Sequence, residues 1–275
     1  VSSPAESRAP ASRAPVKVKV PAGVRASYVV FDRDAGRVVL EHRPHQTFRP
    51  ASVVKILIAL DHLRGRRGAA GDRVLLQRML RSSDDKAATA LWKRGGQAAI
   101  IRRTAPLAGL TDTQGPPADK PGFWGYTALS AADVVRTYRY LLEKAPRAHR
   151  EFVLAQLRRA TPCGSDGFDQ YFGIPRAVPR PWAVKQGWSG FGLTPEDPCG
   201  ATAQALSARP ADLGIGRPVL HTTGLVDGER KIVAVLTLQP AGSSFRAAAA
   251  RITALTRQVH RAGQGRAVST PRPGG

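Results

Sequence analysis

Apolar residues follow two different spacings along this chain, and the order in which the spacings alternate predicts its architecture. Residues 26–33 and 37–42 alternate apolar and polar positions on either side of Asp34-Ala35-Gly36, the pattern of a two-stranded hairpin. Behind Pro50, a residue suited to a first helical turn, Ile56, Leu57, Leu60 and Leu63 give a helix one buried face. Gly65 to Gly71 reads as a basic, glycine-containing break, and Val74 to Leu80 as the next apolar run. Ala98–Thr104, Ser130–Leu142 and Glu151–Arg159 read as helices, with Ser130 and Asp133 resembling a capping box in which Asp replaces Glu. Trp182–Gly190 and Lys231–Leu238 read as strands. Phe245, Ala249, Ile252, Leu255 and Val259 then recur at helical spacing behind the N-cap signal Ser243-Ser244. Strands at both ends around a helical middle predict an α/β chain of the α+β type. One antiparallel sheet is built from the N- and C-terminal segments with flanking helices, and a helical subdomain is inserted over residues 66–180.

Composition narrows the function classes. The chain has 42 Lys and Arg against 20 Asp and Glu, a formal charge of +22. Such a charge raises a nucleic-acid or polyanion binder as one class of function. The basic residues are mostly arginines spread along the chain, without an RNA-binding signature or zinc-finger spacing, so no nucleic-acid partner is expected. The charge instead implies attraction to anionic cell-wall polymers or acidic membrane surfaces, and steering of carboxylate substrates. No apolar run approaches the roughly eighteen residues of a membrane span. Residues 1–22, rich in Ala, Ser, Pro and Arg, read as the flexible leader of a mature secreted chain, and residues 263–275 as a flexible tail. Cys163 and Cys199 are the only cysteines; paired, they bracket Lys185 with a disulfide suited to an oxidising compartment, the alternative being two buried thiols. Neither their number nor their spacing calls for a metal, and no cofactor is expected.

The candidate chemistry begins at Ser52 and Lys55, which lie one helical turn apart at a probable helix start. Backbone N–H groups and the positive end of the helix dipole favour developing negative charge at Ser52. A buried lysine beside another cation loses part of its affinity for a proton, which suits Lys55 to activating the serine. Two stretches downstream complete the set: Arg81-Ser82-Ser83-Asp84-Asp85-Lys86, and Lys185-Gln186-Gly187-Trp188 on its strand. In sequence order these three resemble the S-x-x-K, S-D-N and K-T-G elements of the serine β-lactamase and penicillin-binding protein superfamily, closest to its class A branch. The hairpin before the nucleophile helix and the late strand before a C-terminal helix resemble that family as well.

The resemblance implies a β-lactamase-like domain over residues 23–262 with a cleft between sheet and helical subdomain. There Ser52 attacks an amide or ester carbonyl, with Lys55 as base. Backbone N–H groups of Ser52 and Trp188 hold the oxyanion, and Ser83 protonates the leaving group beside Lys185. Asp85, Gln186 and Gly187 contact substrate, and the substrate is a small molecule or peptide bearing a carboxylate, such as a β-lactam or a D-Ala-D-Ala-like amide. A secreted or cell-envelope location follows. A D,D-peptidase or esterase on the same scaffold is the enzymatic alternative, and a non-catalytic penicillin- or wall-binding protein the alternative from another class.

Three departures from the family pattern bear on that reading. Asp85 stands where the family has asparagine, and the chain contains no asparagine at all. An ionised aspartate only accepts hydrogen bonds, whereas asparagine also donates. Gln186 replaces a hydroxyl residue. The E-x-x-L-N signature that supplies the deacylating glutamate is missing; Leu110–Tyr126 offers only Asp112 and Asp119, which read as loop and turn residues. The Ser52 to Ser83 interval is also short, which predicts an open, slowly deacylating site.

Overall fold

The computed structural model describes residues 17–65, 70–199 and 216–264. The predicted hairpin is β1 (Arg25–Asp32) and β2 (Arg37–His42), with a register irregularity between Val30 and Phe31. Two short strands missed in the sequence, β3 (Thr47–Phe48) and β4 (Leu129–Ser130), pair with each other. Further along come β5 (Ala183–Ser189), β6 (Val219–Val226) and β7 (Lys231–Leu238). The main sheet is antiparallel in the order β2-β1-β7-β6-β5, so both chain ends build it.

Between β2 and β5 run α1 (Lys55–Arg64), α2 (Ala70–Arg81), α3 (Asp85–Arg94), α4 (Ala99–Ala108), α5 (Ala131–Glu143), α6 (Arg147–Arg158) and the single turn α7 (Ile174–Ala177). The long α8 (Phe245–Ala262) follows β7 behind the predicted cap, Ser244, whose hydroxyl accepts from the Ala247 N–H. Ser130 caps α5 as expected, accepting from the Asp133 N–H. The box is only half formed: the Asp133 carboxylate accepts from Thr111 N–H, Asp112 N–H and the Thr113 hydroxyl, and tethers the preceding loop. Residues 66–69 of the predicted break lie outside the described residues, and Gly71 belongs to α2.

The sheet is covered on both faces, which explains why β1 is buried from Ala26 to Phe31 although its residues alternate sides. Val29, Phe31, Ile232, Ala234 and Ala183 face the helices α1 to α6, while Tyr28, Val30, Val233, Val235 and Val184 face α8. Period-two alternation therefore sends Lys185 and Gly187 to the first side and Gln186 and Trp188 to the second. Of the predicted leader and tail, residues 1–16 and 265–275 lie outside the described residues. Residues 17–22 are packed: Val18 and Val20 rest on the α8-side core and the Lys19 N–H donates to Gln258 at 2.9 Å. The Cys163–Cys199 disulfide is formed, with a Cα separation of 5.3 Å. No described helix is long and apolar enough to cross a membrane.

Candidate active site

Ser52 sits in a 3₁₀ turn, Ala51–Val54, that feeds directly into α1. The turn is entered through Ala51 at φ +46°, a left-handed conformation that an alanine adopts only under constraint from its surroundings. Gly187 supplies that constraint. A Cβ on Gly187 would lie 2.6 Å from the Pro50 carbonyl oxygen and 3.2 Å from the Ser52 nitrogen, so only glycine lets β5 approach the turn this closely. β5 is the edge strand of the sheet, so alternate N–H groups along it point away from β6 toward this turn. From the other side the His221 imidazole fixes the approach: its Nδ1 accepts from the Thr237 N–H at 3.1 Å and its Nε2 reaches the Arg49 carbonyl at 2.9 Å. Complete burial pushes His221 down to about 4, so the neutral ring bridges sheet and turn.

Lys55 is fully buried, and its Nζ has three acceptors: the Ser52 hydroxyl at 2.7 Å, the Ser83 carbonyl at 2.7 Å and the Asp85 carboxylate at 2.6 Å. These match the three donors of an ammonium group. The Trp124 ring lies over Lys55, with 4.6 Å from Nζ to the ring centroid. Asp85 is the first residue of α3 behind the Asp84 cap, and 48% of its side chain remains exposed. Ser83 is held at φ +54°, and its hydroxyl meets the Lys185 ammonium nitrogen directly. Burial holds Lys185 well below the ordinary lysine range, and the nearby charge of Lys55 adds to that. The strand carbonyl of Lys185 is pinned by the Thr223 hydroxyl at 2.7 Å, and Thr223 by Tyr138 at 3.1 Å.

Ser52, Lys55, Ser83, Asp85, Lys185 and Gly187 are thus gathered around one point, and Trp188 lines the cleft beside them. Gln186 is not among them. Its side-chain amide donates to the Phe172 carbonyl at 2.6 Å, and the side chain does not line the cleft. Asp112 and Asp119 are also elsewhere. Asp112 accepts from Ser130 and meets His45, and Asp119 is exposed beside Lys120.

Two residues that sequence reasoning passed over reach the site from the loop between α6 and β5. Gln170 accepts from the Ser83 hydroxyl at 3.2 Å and donates to the Arg81 and Thr161 carbonyls, so it orients that hydroxyl. Asp166 accepts from the Trp188 indole at 2.9 Å. Burial, and after it the charge of Asp85, pushes Asp166 above the usual carboxylate range. Neither residue belongs to a periodic segment, so no pattern marked it. The cleft above Ser52 has a volume of about 810 Å³, between Phe123, Trp124 and Tyr126 on one side and Trp188, Phe191 and Leu193 on the other. No group of three or more His, Cys, Asp or Glu side chains among the described residues is placed to hold a metal ion.

No protein-family model matches the chain. Proteins named "Putative lipoprotein LppW" from Mycobacterium bovis and Mycobacterium tuberculosis are 34% identical over 232 residues, 80% of this chain. The match spans 65% of those relatives, just under two thirds of their length. Among solved structures, a class A β-lactamase from Mycobacterium abscessus superposes with a TM-score of 0.63 at 20% identity, covering 88% of this chain and 95% of that one. PBP-A superposes with a TM-score of 0.64 at 17% identity over 90% and 92%. A PBP-A variant solved as its acyl-enzyme complex with penicillin G gives 0.63 at 16% identity over 88% and 91%. With its antiparallel sheet, its covering helices and these neighbours, the chain has the fold of the serine β-lactamase and penicillin-binding protein superfamily.

Proposed function

We propose that the protein is a serine acyl-enzyme catalyst with Ser52 as nucleophile and slow deacylation. The observation that carries this reading is the contact of the Lys55 amine with the Ser52 hydroxyl at 2.7 Å, beside a second lysine and serine, Lys185 and Ser83, already in hydrogen-bond contact. Ser52 Oγ attacks the carbonyl carbon of an ester or amide. Its proton passes to Lys55 as Lys55 passes one of its own to Asp85, whose carboxylate is 2.6 Å away. The oxyanion lies between the Ser52 and Trp188 N–H groups, the arrangement that the close approach of Gly187 permits. Ser83 gives its proton to the leaving group and is reprotonated from Lys185. Hydrolysis of the acyl-enzyme then needs a base for water. Asp112 and Asp119 do not line the cleft, and its two carboxylates are already engaged, Asp85 by Lys55 and Asp166 by the Trp188 indole and the Phe168 N–H, which supports long acyl-enzyme lifetimes. The names of the LppW relatives and the acyl-enzyme of PBP-A support a cell-envelope location and covalent chemistry.

The saturated acceptor set of Lys55 favours a second reading, a binding protein that retains the fold without turnover. Intact-mass analysis after incubation with a fluorophosphonate and with a fluorescent penicillin separates the two. A single adduct on Ser52, absent in Ser52→Ala, is the expected result. An unmodified chain with both reagents establishes the binding protein instead.

A further inference from the structure

The cleft differs from a carboxylate-binding one at each place where a carboxylate is received. Gln186 is turned to the other face of β5, with its amide on Phe172. Lys185 is 1% exposed and does not line the cleft. Asp85 contributes a carboxylate where an amide would be neutral, and Asp166 adds a second on the same floor. No arginine lines the cleft among the described residues; Lys86 and Lys93 do, but both are exposed at its mouth, where solvent and salt screen them.

The two floor carboxylates are themselves partnered, Asp85 by Lys55 and Asp166 by the Trp188 indole and the Phe168 N–H, so neither demands a cation from the substrate. What remains for the bulk of a ligand is apolar. Phe123, Trp124 and Tyr126 line the opening together with Phe191 and Leu193, an apolar set in one cleft, and Leu193 is 38% exposed. A volume of about 810 Å³ is at the large end for a small-molecule site.

We infer that this cleft takes neutral acyl donors, esters above all, that carry an extended apolar acyl group, and that it disfavours the carboxylate-bearing substrates of its structural relatives. The inference rests on Ser52 being the nucleophile. In the step itself the bond from Ser52 Oγ to the acyl carbon forms and the acyl carbon–alkoxy oxygen bond breaks. The Ser52 proton passes to Lys55 as Lys55 gives one to Asp85, and the departing alcohol takes its proton from Ser83, which recovers one from Lys185. Water later cleaves the acyl-serine, releases the carboxylic acid and restores the serine proton.

The test uses the full chain and 4-nitrophenyl esters of acetic and hexanoic acid, with ω-carboxylate and ω-ammonium acyl chains of hexanoyl length for comparison. The readout is kcat/KM, which reports acylation even where deacylation limits turnover. From acetyl to hexanoyl kcat/KM is expected to rise about tenfold or more, since each methylene buried is worth about a factor of four. The ω-carboxylate and ω-ammonium esters are expected at least about tenfold below hexanoyl, the cost of desolvating a charge against apolar walls. Leu193→Arg, at an exposed position, is expected to reduce the hexanoyl advantage and raise the ω-carboxylate ester. A flat chain-length series, a preference for either charged chain, or unchanged ratios in Leu193→Arg overturns the inference. An adduct on Ser52 from the fluorophosphonate together with any of these results leaves the nucleophile standing and removes only the substrate class. No acylation of Ser52 by any reagent removes both.

Discussion

Asp85 is the closest charged partner of Lys55, and it decides what the lysine beside Ser52 can do. An asparagine there would offer Lys55 a neutral oxygen; the carboxylate offers a charge at 2.6 Å and a place for a proton. If Ser52 is activated through the Lys55–Asp85 pair, Asp85→Asn removes the final acceptor, and acylation by the fluorophosphonate is expected to slow by about a hundredfold or more, the usual weight of a general base. If Lys55 acts alone, the same substitution releases it from an ion pair and acylation accelerates. Single-turnover intact-mass kinetics of wild type and variant distinguish the two by sign. The Ser52–Lys55 contact was readable in the sequence because three-residue spacing at a helix start brings two side chains together whatever the rest of the fold does. The place of Gln186 was not: Trp188 shares its strand face and still lines the cleft, and it is the Phe172 carbonyl, a partner distant in sequence, that holds the Gln186 amide out of the site.

At the scale of elements, the sheet was only partly visible in advance. β1, β2, β5 and β7 announce themselves by turn residues and β-branched runs. β6, central between β7 and β5, was missed although Val219–Val226 runs from Pro218 to the turn residues Asp227 and Gly228. Its alternation is hidden because both faces are buried, and because polar Thr222 and Thr223 spend their hydroxyls on neighbouring backbone and side chains. β6 also carries His221, whose neutral ring joins the sheet to the turn that holds Ser52. Unfolded, that histidine takes up a proton near pH 6.5; folded, only near about 4. The unfolded chain therefore binds more protons between those values, so stability is full above about pH 6.5 and falls as pH drops through the interval, by about 3 kcal/mol from this group. Urea melts at pH 7 and pH 4 on wild type and His221→Gln should show a smaller acid loss in the variant. Equal losses would place the acid sensitivity elsewhere.

Across the whole molecule the disulfide ties the segment that carries Asp166 and Gln170 to the one that follows β5. The segment between α6 and α7 supplies Gln170 to Ser83 and Asp166 to Trp188; Thr161 N–H to Arg81, Ser165 N–H to Ser82 and Gln170 N–H to Pro162 hold it to its surroundings, and Cys199 N–H to Gly167 crosses beside the disulfide. Cys163 anchors this loop to the segment that follows β5, closing a separation of 36 residues that contains Lys185. A net charge of +22 makes such tethering matter more, because like charges favour an expanded chain and only partly offset one another through surface ion pairs. Replacing both cysteines by serine should cost roughly 3–4 kcal/mol through loop-closure entropy, read as a lower urea midpoint with little change in slope. The site should respond as well. With the loop loosened, Gln170 no longer fixes the Ser83 hydroxyl, so acylation of Ser52 is expected to slow several-fold even at temperatures where the variant is fully folded. A variant that loses stability but acylates at the wild-type rate would show that the loop holds its catalytic geometry without the bond, and would confine the disulfide to the stability of the fold.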